Sequence, residues 1–329
     1  MKRKATAENK QILKRWIMMV GVDRVRHLIH FKDWSGEEVL ELIERAVEIK
    51  EHPADYAQAL RQRTLAMIFQ KTSTRTRVSF ETGLTKLGGH AIFLDWRASN
   101  FALAEIKDEI RYIAGNADLV MARLLSHKDL LEMAEYSEIP VINGCDDRYH
   151  PCQAFSDLLT LREKLGRLRG IKLVYVGVWN NVLNSLIDLC IKIGVHLTAV
   201  TPVINEPSRD HELTAAAEKS GLFARSSDLR SAAKDADAVY TDSWVDMEFF
   251  LDPSFEVEKN RRIEQMLPFQ LNAANLTGSK ALIMHDMPIH PGYEIDRATI
   301  EDPRSIIFPQ SWNRMHGQNA LMLRLMGVI

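Results

Sequence analysis

The chain has 329 residues, 46% of them hydrophobic, with Lys+Arg 42 against Asp+Glu 44 and a formal charge of −2. That length implies about two domains, the balanced charge gives no general reason to expect nucleic acid as a partner, and no apolar run reaches the ~18 residues that a membrane span needs. Cys145, Cys152 and Cys190 are odd in number and lack a C-x-x-C or metal spacing, which suggests reduced thiols in a cytoplasmic protein without a metal site.

Residues 1–29 form a basic arm. Lys2, Arg3, Lys4, Lys10, Lys14, Arg15, Arg24 and Arg26 outnumber Glu8 and Asp23, and a short surface helix is expected near residues 12–20. The acids, and the lack of serine, argue against a transit peptide. Short β-branched runs then alternate with helical patterns. TLAMIF (64–69), HAIFLD (90–95), LVMARL (119–124) and PVING (140–144) form a first set of strands. KLVYVG (172–177), HLTAVTP (196–202), AVYTDSW (238–244) and ALIMHDMP (281–288) form a second. Helices are expected in the stretches GEEVLELIERAVEIK, DLLEMAEYSE, NVLNSLIDLCIKIG and DLRSAAKDADA, and the tail from Arg314 reads as a closing helix. Strand–helix alternation in two sets predicts an α/β chain of two tandem parallel-sheet domains, divided near Asp146–Pro151.

Ligands of such sheets sit beyond the carboxyl ends of the strands, and the chemically loaded residues gather there. Ser73-Thr74-Arg75-Thr76-Arg77 follow the first strand, Arg123 the third, and His150-Pro151-Cys152-Gln153 the fourth. Asn180 and Asn181, Asp242, and His285-Asp286-Met287-Pro288 end strands of the second set. Six such coincidences predict a cleft between the domains. A helix opening near Ser73 would offer free N–H groups, three hydroxyls and guanidinium forks to an oxygen-rich anion. The plainer reading is that Ser73 or Thr74 caps the helix and the arginines are solvated. No G-x-x-x-x-G-K-[ST] occurs, so nucleotide binding lacks support.

The order FQKTSTRTRVSFE, a lone arginine after the third strand, then HPCQAFSDLLTL resembles the aspartate/ornithine carbamoyltransferase family, closest to its ornithine branch. HFKDWS near His30, LGGHAIFL, IPVING, VYTDSW and NRMH extend the resemblance from about residue 30 to the end. It implies a carbamoyl phosphate domain over 30–148, completed by a helix at 315–329, and an acceptor domain of Rossmann-like form over 149–314. Ser73, Thr74, Arg75 and Thr76 would hold the phosphate, joined by Arg123. His150, Gln153, Thr76 and Arg314 would grip the carbamoyl end, and the Met287–Pro288 backbone would accept its N–H groups. Arg77 is left outside that shell. His150, Arg123 and Thr76 would stabilise the tetrahedral oxyanion, with no cofactor and no metal. A homotrimer with sites at subunit contacts is also implied.

The acceptor half departs from ornithine-using relatives. They read H-C-L-P where this chain has His285-Asp286-Met287-Pro288, and D-x-W-x-S-M-G where it has Asp242 through Glu248. They read D-G-N-N where it has Val178-Trp179-Asn180-Asn181, and the loop from Asp95 to Lys107 lacks their glutamine and glycines. Asn181, Asp242, Asp246, Met247 and Asp286 are the expected acceptor contacts. Three acids favour a cationic amine over a dicarboxylate. Asp286 is expected to replace the thiol in orienting or deprotonating that amine, with Asp242 raising the pKa of the pair. Trp179 is expected to shorten the acceptor pocket. An ornithine-like acceptor, another amine (2,3-diaminopropionate, lysine, putrescine or an N-acylated diamino acid) and a silent binding relative all stay open. Arg75, His150 and Arg314, which a silent copy would lose, are present.

Overall fold

The computed structural model describes residues 25–245 and 249–329. The basic arm through residue 24, and the expected contacts Asp246 and Met247, lie outside them.

The first helix among the described residues, α1 (Gly36–Glu51), opens on a reciprocal cap. Ser35 Oγ accepts the Glu38 N–H, and the Glu38 carboxylate accepts the Ser35 N–H. Then follow β1 (Thr64–Phe69), α2 (Thr74–Lys86), β2 (His90–Asp95), α3 (Ile106–Ala114), β3 (Leu119–Arg123), α4 (His127–Tyr136) and β4 (Val141–Cys145). These strands form one parallel sheet in the order β2-β1-β3-β4. Strands β3 and β4 are buried on both faces, which suits their continuous apolar runs.

Helix α5 (Pro151–Leu165) carries the chain to a second layer. That layer holds β5 (Lys172–Val176), α6 (Asn181–Ile193), β6 (His196–Val200), α7 (His211–Ser220), β7 (Phe223–Arg225), α8 (Leu229–Lys234), β8 (Ala238–Thr241), α9 (Glu256–Met266) and β9 (Leu282–His285). Its sheet is also parallel, in the order β7-β6-β5-β8-β9. Two parallel-sheet α/β domains are therefore present, as the alternation predicts. Strand β7 was not expected; it is three residues long, and Ala224 and Arg225 are exposed, so it carries no apolar run.

The closing helix, α10 (Ile307–Leu325), begins before the expected Arg314 and returns to pack on α1, α2 and α5. The approach is close. A Cβ on Gly317 would lie 2.6 Å from Ser156 Oγ of α5, and one on Gly83 of α2 would lie 2.3 Å from Asn319 Oδ1. Small residues at these crossings let α10 sit where Arg314 reaches the edge of the first sheet. Cross-layer hydrogen bonds fix the same seam: Phe31 N–H donates to Asp188 of α6 at 3.0 Å, and His150 N–H donates to Ser185 Oγ at 2.8 Å. Among the described residues no helix is long and apolar enough to cross a membrane.

Candidate active site

A cleft lies between the carboxyl ends of the two sheets, and strand ends and helix starts supply its walls. On the first wall, Ser73 caps α2 in an extended conformation. Its Oγ accepts the Thr76 N–H at 3.2 Å and its hydroxyl donates to Thr76 Oγ1 at 3.0 Å. The capping reading of Ser73 is thus correct, and it does not compete with anion binding, because the cap leaves Ser73 and Arg75 lining the cleft. Thr76 is buried behind them, and its Oγ1 accepts from Arg314 Nη2 at 2.8 Å. Arg123 ends β3 where the register with β4 shifts, a bulge that re-aims the last residue of the strand toward the cleft.

Arg75, Arg123 and Arg314 therefore meet from β1–α2, β3 and α10. The Nε of each is buried and has no hydrogen-bond partner among the described residues. Burial, then the charges of Arg123 and Arg75, hold the Arg314 guanidinium down to about 10. Burial also lowers Arg75, against the opposing pull of Asp286. Two buried cations and a half-buried third, each with an unused Nε–H, are a costly arrangement that a doubly charged anion would offset.

His150 precedes Pro151 at the first position of α5, and its side chain is buried facing these cations. Burial first, then Arg314, Arg123, Lys71 and Arg75, push its pKa well below the usual imidazole range. A neutral imidazole beside three guanidiniums can donate one N–H to a carbonyl oxygen without adding another charge. Gln153, one helical turn further on, has a buried Oε1 that accepts no hydrogen bond among the described residues, and it also lines the cleft.

The second wall is acidic. Asn180 caps α6, its Oδ1 accepting the Val182 and Leu183 N–H groups, each at 3.1 Å. Its amide donates to Asp242 Oδ2 at 2.6 Å, and the Ser243 N–H donates to Asp242 Oδ1 at 2.6 Å. Burial, followed by the Asp286 charge and a hydrogen bond to Asp286, raises the Asp242 carboxyl well above its ordinary range. A raised Asp242 carboxyl can keep its proton and so avoid two negative charges side by side. Asp286 Oδ1 is buried, accepts no hydrogen bond among the described residues, and lies 3.4 Å from His285 Nδ1. The backbone that carries it is braced on both sides: the Met287 N–H lies 2.8 Å from His285 Nδ1, and His285 Nε2 lies 2.9 Å from Glu294 Oε1. Burial lowers the His285 pKa, but the Asp286 and Glu294 carboxylates outweigh it and raise the imidazole to about 9. The Ser243 hydroxyl donates to the Pro288 carbonyl at 3.1 Å.

The cleft thus gathers Ser73, Arg75, Arg123, His150, Gln153, Arg314, Asn181, Asp242, Asp286 and Met287. The Thr74 side chain is not among them. It is exposed on the first turn of α2 and lines an adjoining cavity with Arg77 and Arg97. Arg77 stands outside the cleft, over Phe93 at 3.9 Å and bonded to Glu81 at 3.2 Å. Asn181 is committed in part, its amide donating to the Asp146 carbonyl at 2.6 Å. Trp179 corrects an expectation. Its ring is fully buried in the core of the second layer, edge-on to Phe223, and its indole N–H donates to Asn184 at 2.9 Å. It does not line the cleft and cannot shorten it. Lys71, Cys145, Ser243 and Val245 do line it and were not expected. Of these, Lys71 and Cys145 were traceable, Lys71 lying inside FQKTSTRTRVSFE and Cys145 directly following PVING. Among the described residues no group of three or more His, Cys, Asp and Glu side chains is arranged to hold a metal ion.

Two family models match the chain. "Aspartate/ornithine carbamoyltransferase, carbamoyl-P binding domain" covers residues 26–163, and "Aspartate/ornithine carbamoyltransferase, Asp/Orn binding domain" covers residues 169–325. An ornithine carbamoyltransferase of Anoxybacillus flavithermus is 40% identical over 302 residues, 89% of this chain and 94% of that protein. The solved ornithine carbamoyltransferase of Pyrococcus furiosus superposes with a TM-score of 0.85 at 37% identity, over 93% of this chain and 98% of that one. A solved N-acetyl-L-ornithine transcarbamylase mutant, complexed with PALAO, superposes at 0.79 with 28% identity, over 91% and 99%. With both halves of the chain matched and the two walls of its cleft built as described, the protein belongs to the aspartate/ornithine carbamoyltransferase family.

Proposed function

We propose that the chain moves the carbamoyl group of carbamoyl phosphate to the side-chain amine of an ornithine-like amino acid and releases phosphate. One observation carries this reading: three guanidiniums and a neutral His150 face a carboxyl pair, Asp242 and Asp286, across a single cleft. The phosphate belongs against Arg75, Arg123 and the cap at Ser73. The carbamoyl group then points toward His150, Gln153 and Arg314, with the Met287 backbone beside it.

The amine lone pair attacks the carbamoyl carbon, a C–N bond forms, and the carbonyl oxygen becomes an oxyanion. His150 and Arg314 donate to that oxygen, each such donor being worth roughly 10²–10³ in rate. The C–O bond to phosphate breaks next, and the leaving phosphate takes its electron pair onto oxygens facing Arg75 and Arg123. The amine must shed a proton. With a pKa near ~10.4 this costs about 4–5 kcal/mol at neutral pH. Asp286, on the acceptor wall with an oxygen that accepts no hydrogen bond among the described residues, is suited to take it. Burial, helped by the Asp286 charge, favours the protonated form of Asp242, and an acidic wall suits a cationic amine better than a dicarboxylate.

The acid in place of the relatives' thiol also supports a different amine as acceptor, including an N-acylated diamino acid. The case for a shorter acceptor loses its footing with Trp179 in the core. A cytoplasmic homotrimer serving arginine formation completes the reading. The adjoining cavity by Thr74, Arg77 and Arg97 is where a second subunit would meet the site, and sedimentation equilibrium tests that assembly. Radiolabelled carbamoyl phosphate supplied with ornithine, N-acetylornithine, lysine, putrescine and 2,3-diaminopropionate tests the acceptor. Label transfer to ornithine in preference is expected, and transfer to none of them would contradict the reading.

A further inference from the structure

Behind the cleft, Asp157 is fully buried one turn beyond Gln153 on α5. Its Oδ1 accepts two side-chain amide N–H groups, from Gln153 at 2.9 Å and from Gln310 of α10 at 2.7 Å. Gln310 Oε1 in turn accepts the His285 N–H at 2.8 Å. A polar line therefore runs Gln153–Asp157–Gln310–His285, from the wall that holds His150 to the loop that carries Asp286 and Met287. The Tyr240 hydroxyl, buried and with no full hydrogen bond of its own, is near enough to favour the charged form of Asp157.

A glutamine amide is nearly symmetric in shape but not in hydrogen bonding. If oxygen and nitrogen of Gln153 exchanged places, two acceptors would meet at Asp157, losing one bond and adding repulsion. Gln310 is fixed twice over, since its oxygen must meet a backbone donor and its nitrogen a carboxylate. Only one orientation of Gln153 satisfies the set, and it turns Oε1 toward the cleft, where that oxygen has no protein partner.

We propose that Asp157 is a positioning residue for carbamoyl transfer: it keeps the Gln153 carbonyl oxygen aimed at the –NH2 of carbamoyl phosphate and, through Gln310, holds the 285–288 loop in register with it. This rests on the functional reading above. The site then recognises the –NH2 group as such. Acetyl phosphate, which carries a methyl group at that position, offers no N–H to Gln153, and inorganic phosphate has no such group at all.

The test compares the KM for carbamoyl phosphate with the inhibition constants of acetyl phosphate and inorganic phosphate. In Asp157→Leu the KM should rise at least about tenfold while both inhibition constants stay within about threefold, because only the N–H contact is lost. Asp157→Leu placed on Gln153→Ala should add less than about twofold, as for residues acting through one contact. Asp157→Asn, whose carbonyl oxygen can take the same two N–H bonds, should keep the preference even if the leucine variant does not fold. Undiminished preference in Asp157→Leu, or its loss in a folded Asp157→Asn, would overturn the proposal. A wild-type chain without any preference for carbamoyl over acetyl phosphate would instead contradict the functional reading, and the proposal with it.

Discussion

One wall of the cleft is cationic and the other acidic, and the two are built differently. The cationic wall draws Arg75, Arg123 and Arg314 from three separate elements, and it carries the motifs on which the resemblance to the family rests. The acidic wall draws Asp242 and Asp286 from the ends of adjacent strands, β8 and β9, and at Asp286 it departs from them. The first wall meets a fixed ligand, a phosphate whose charge and shape leave little room for change. On the proposed function the second meets an amine, and a carboxylate at Asp286 would suit the task of orienting a nitrogen and taking its proton. The difference teaches that donor and acceptor recognition can vary independently within one cleft.

The largest expected effect falls on the cationic wall. Arg314→Gln removes a buried cation and its bond to Thr76, and kcat/KM for carbamoyl phosphate should fall by ~10³ or more in steady-state assays. A loss under tenfold would erase the contrast between the walls. Next is Asp286→Asn, which should lower kcat/KM for the acceptor by roughly 10² while leaving carbamoyl phosphate binding intact. Because the base must be ionised, wild-type activity should rise with pH through the ionisation of the pair, and the variant should lack that limb. Equal kcat/KM for variant and wild type across pH 6–9 would remove Asp286 from the mechanism.

A smaller effect separates stability from chemistry. Burial raises the Asp157 carboxyl to about 7, the amides of Gln310 and Gln153 opposing it. Between pH 4 and 7 the folded chain keeps a proton that the unfolded chain has released, so raising the pH costs stability, on the order of 4 kcal/mol by pH 8. Asp157→Asn should therefore melt with the wild type near pH 4 and above it at pH 8. A constant gap in Tm would mean that Asp157 does not titrate in this window. The smallest effect is expected for Trp179→Phe. Losing the indole N–H to Asn184 should cost about 1 kcal/mol of stability, with the order of acceptor preference unchanged. A switch toward longer amines would return Trp179 to the pocket wall.

Most of the architecture was legible because the strands are apolar runs separated by helical patterns, and because Ser73, Arg123, His150, Asp242 and Asp286 all stand at strand ends where parallel sheets place their ligands. What escaped depends on direction and on distant partners. Trp179 sits beside two cleft asparagines in sequence, yet its ring turns into the core under Arg209 and Arg225. Strand β7 is too short to show a pattern. Asp157 lies four residues after Gln153, a spacing that puts both on one helix face, but its second partner, Gln310, comes from a helix whose first turn precedes the Arg314 motif. That pairing appears only when α10 folds back onto α5.

The central claim is that a small dianion binds where β1 gives way to α2, held by guanidiniums from separate elements. Titration calorimetry with carbamoyl phosphate on the wild type and on Arg75→Ala tests it most directly. Saturable heat in the wild type that disappears in a folded Arg75→Ala variant is the expected result; no heat in the wild type, or the same heat in both, would contradict it.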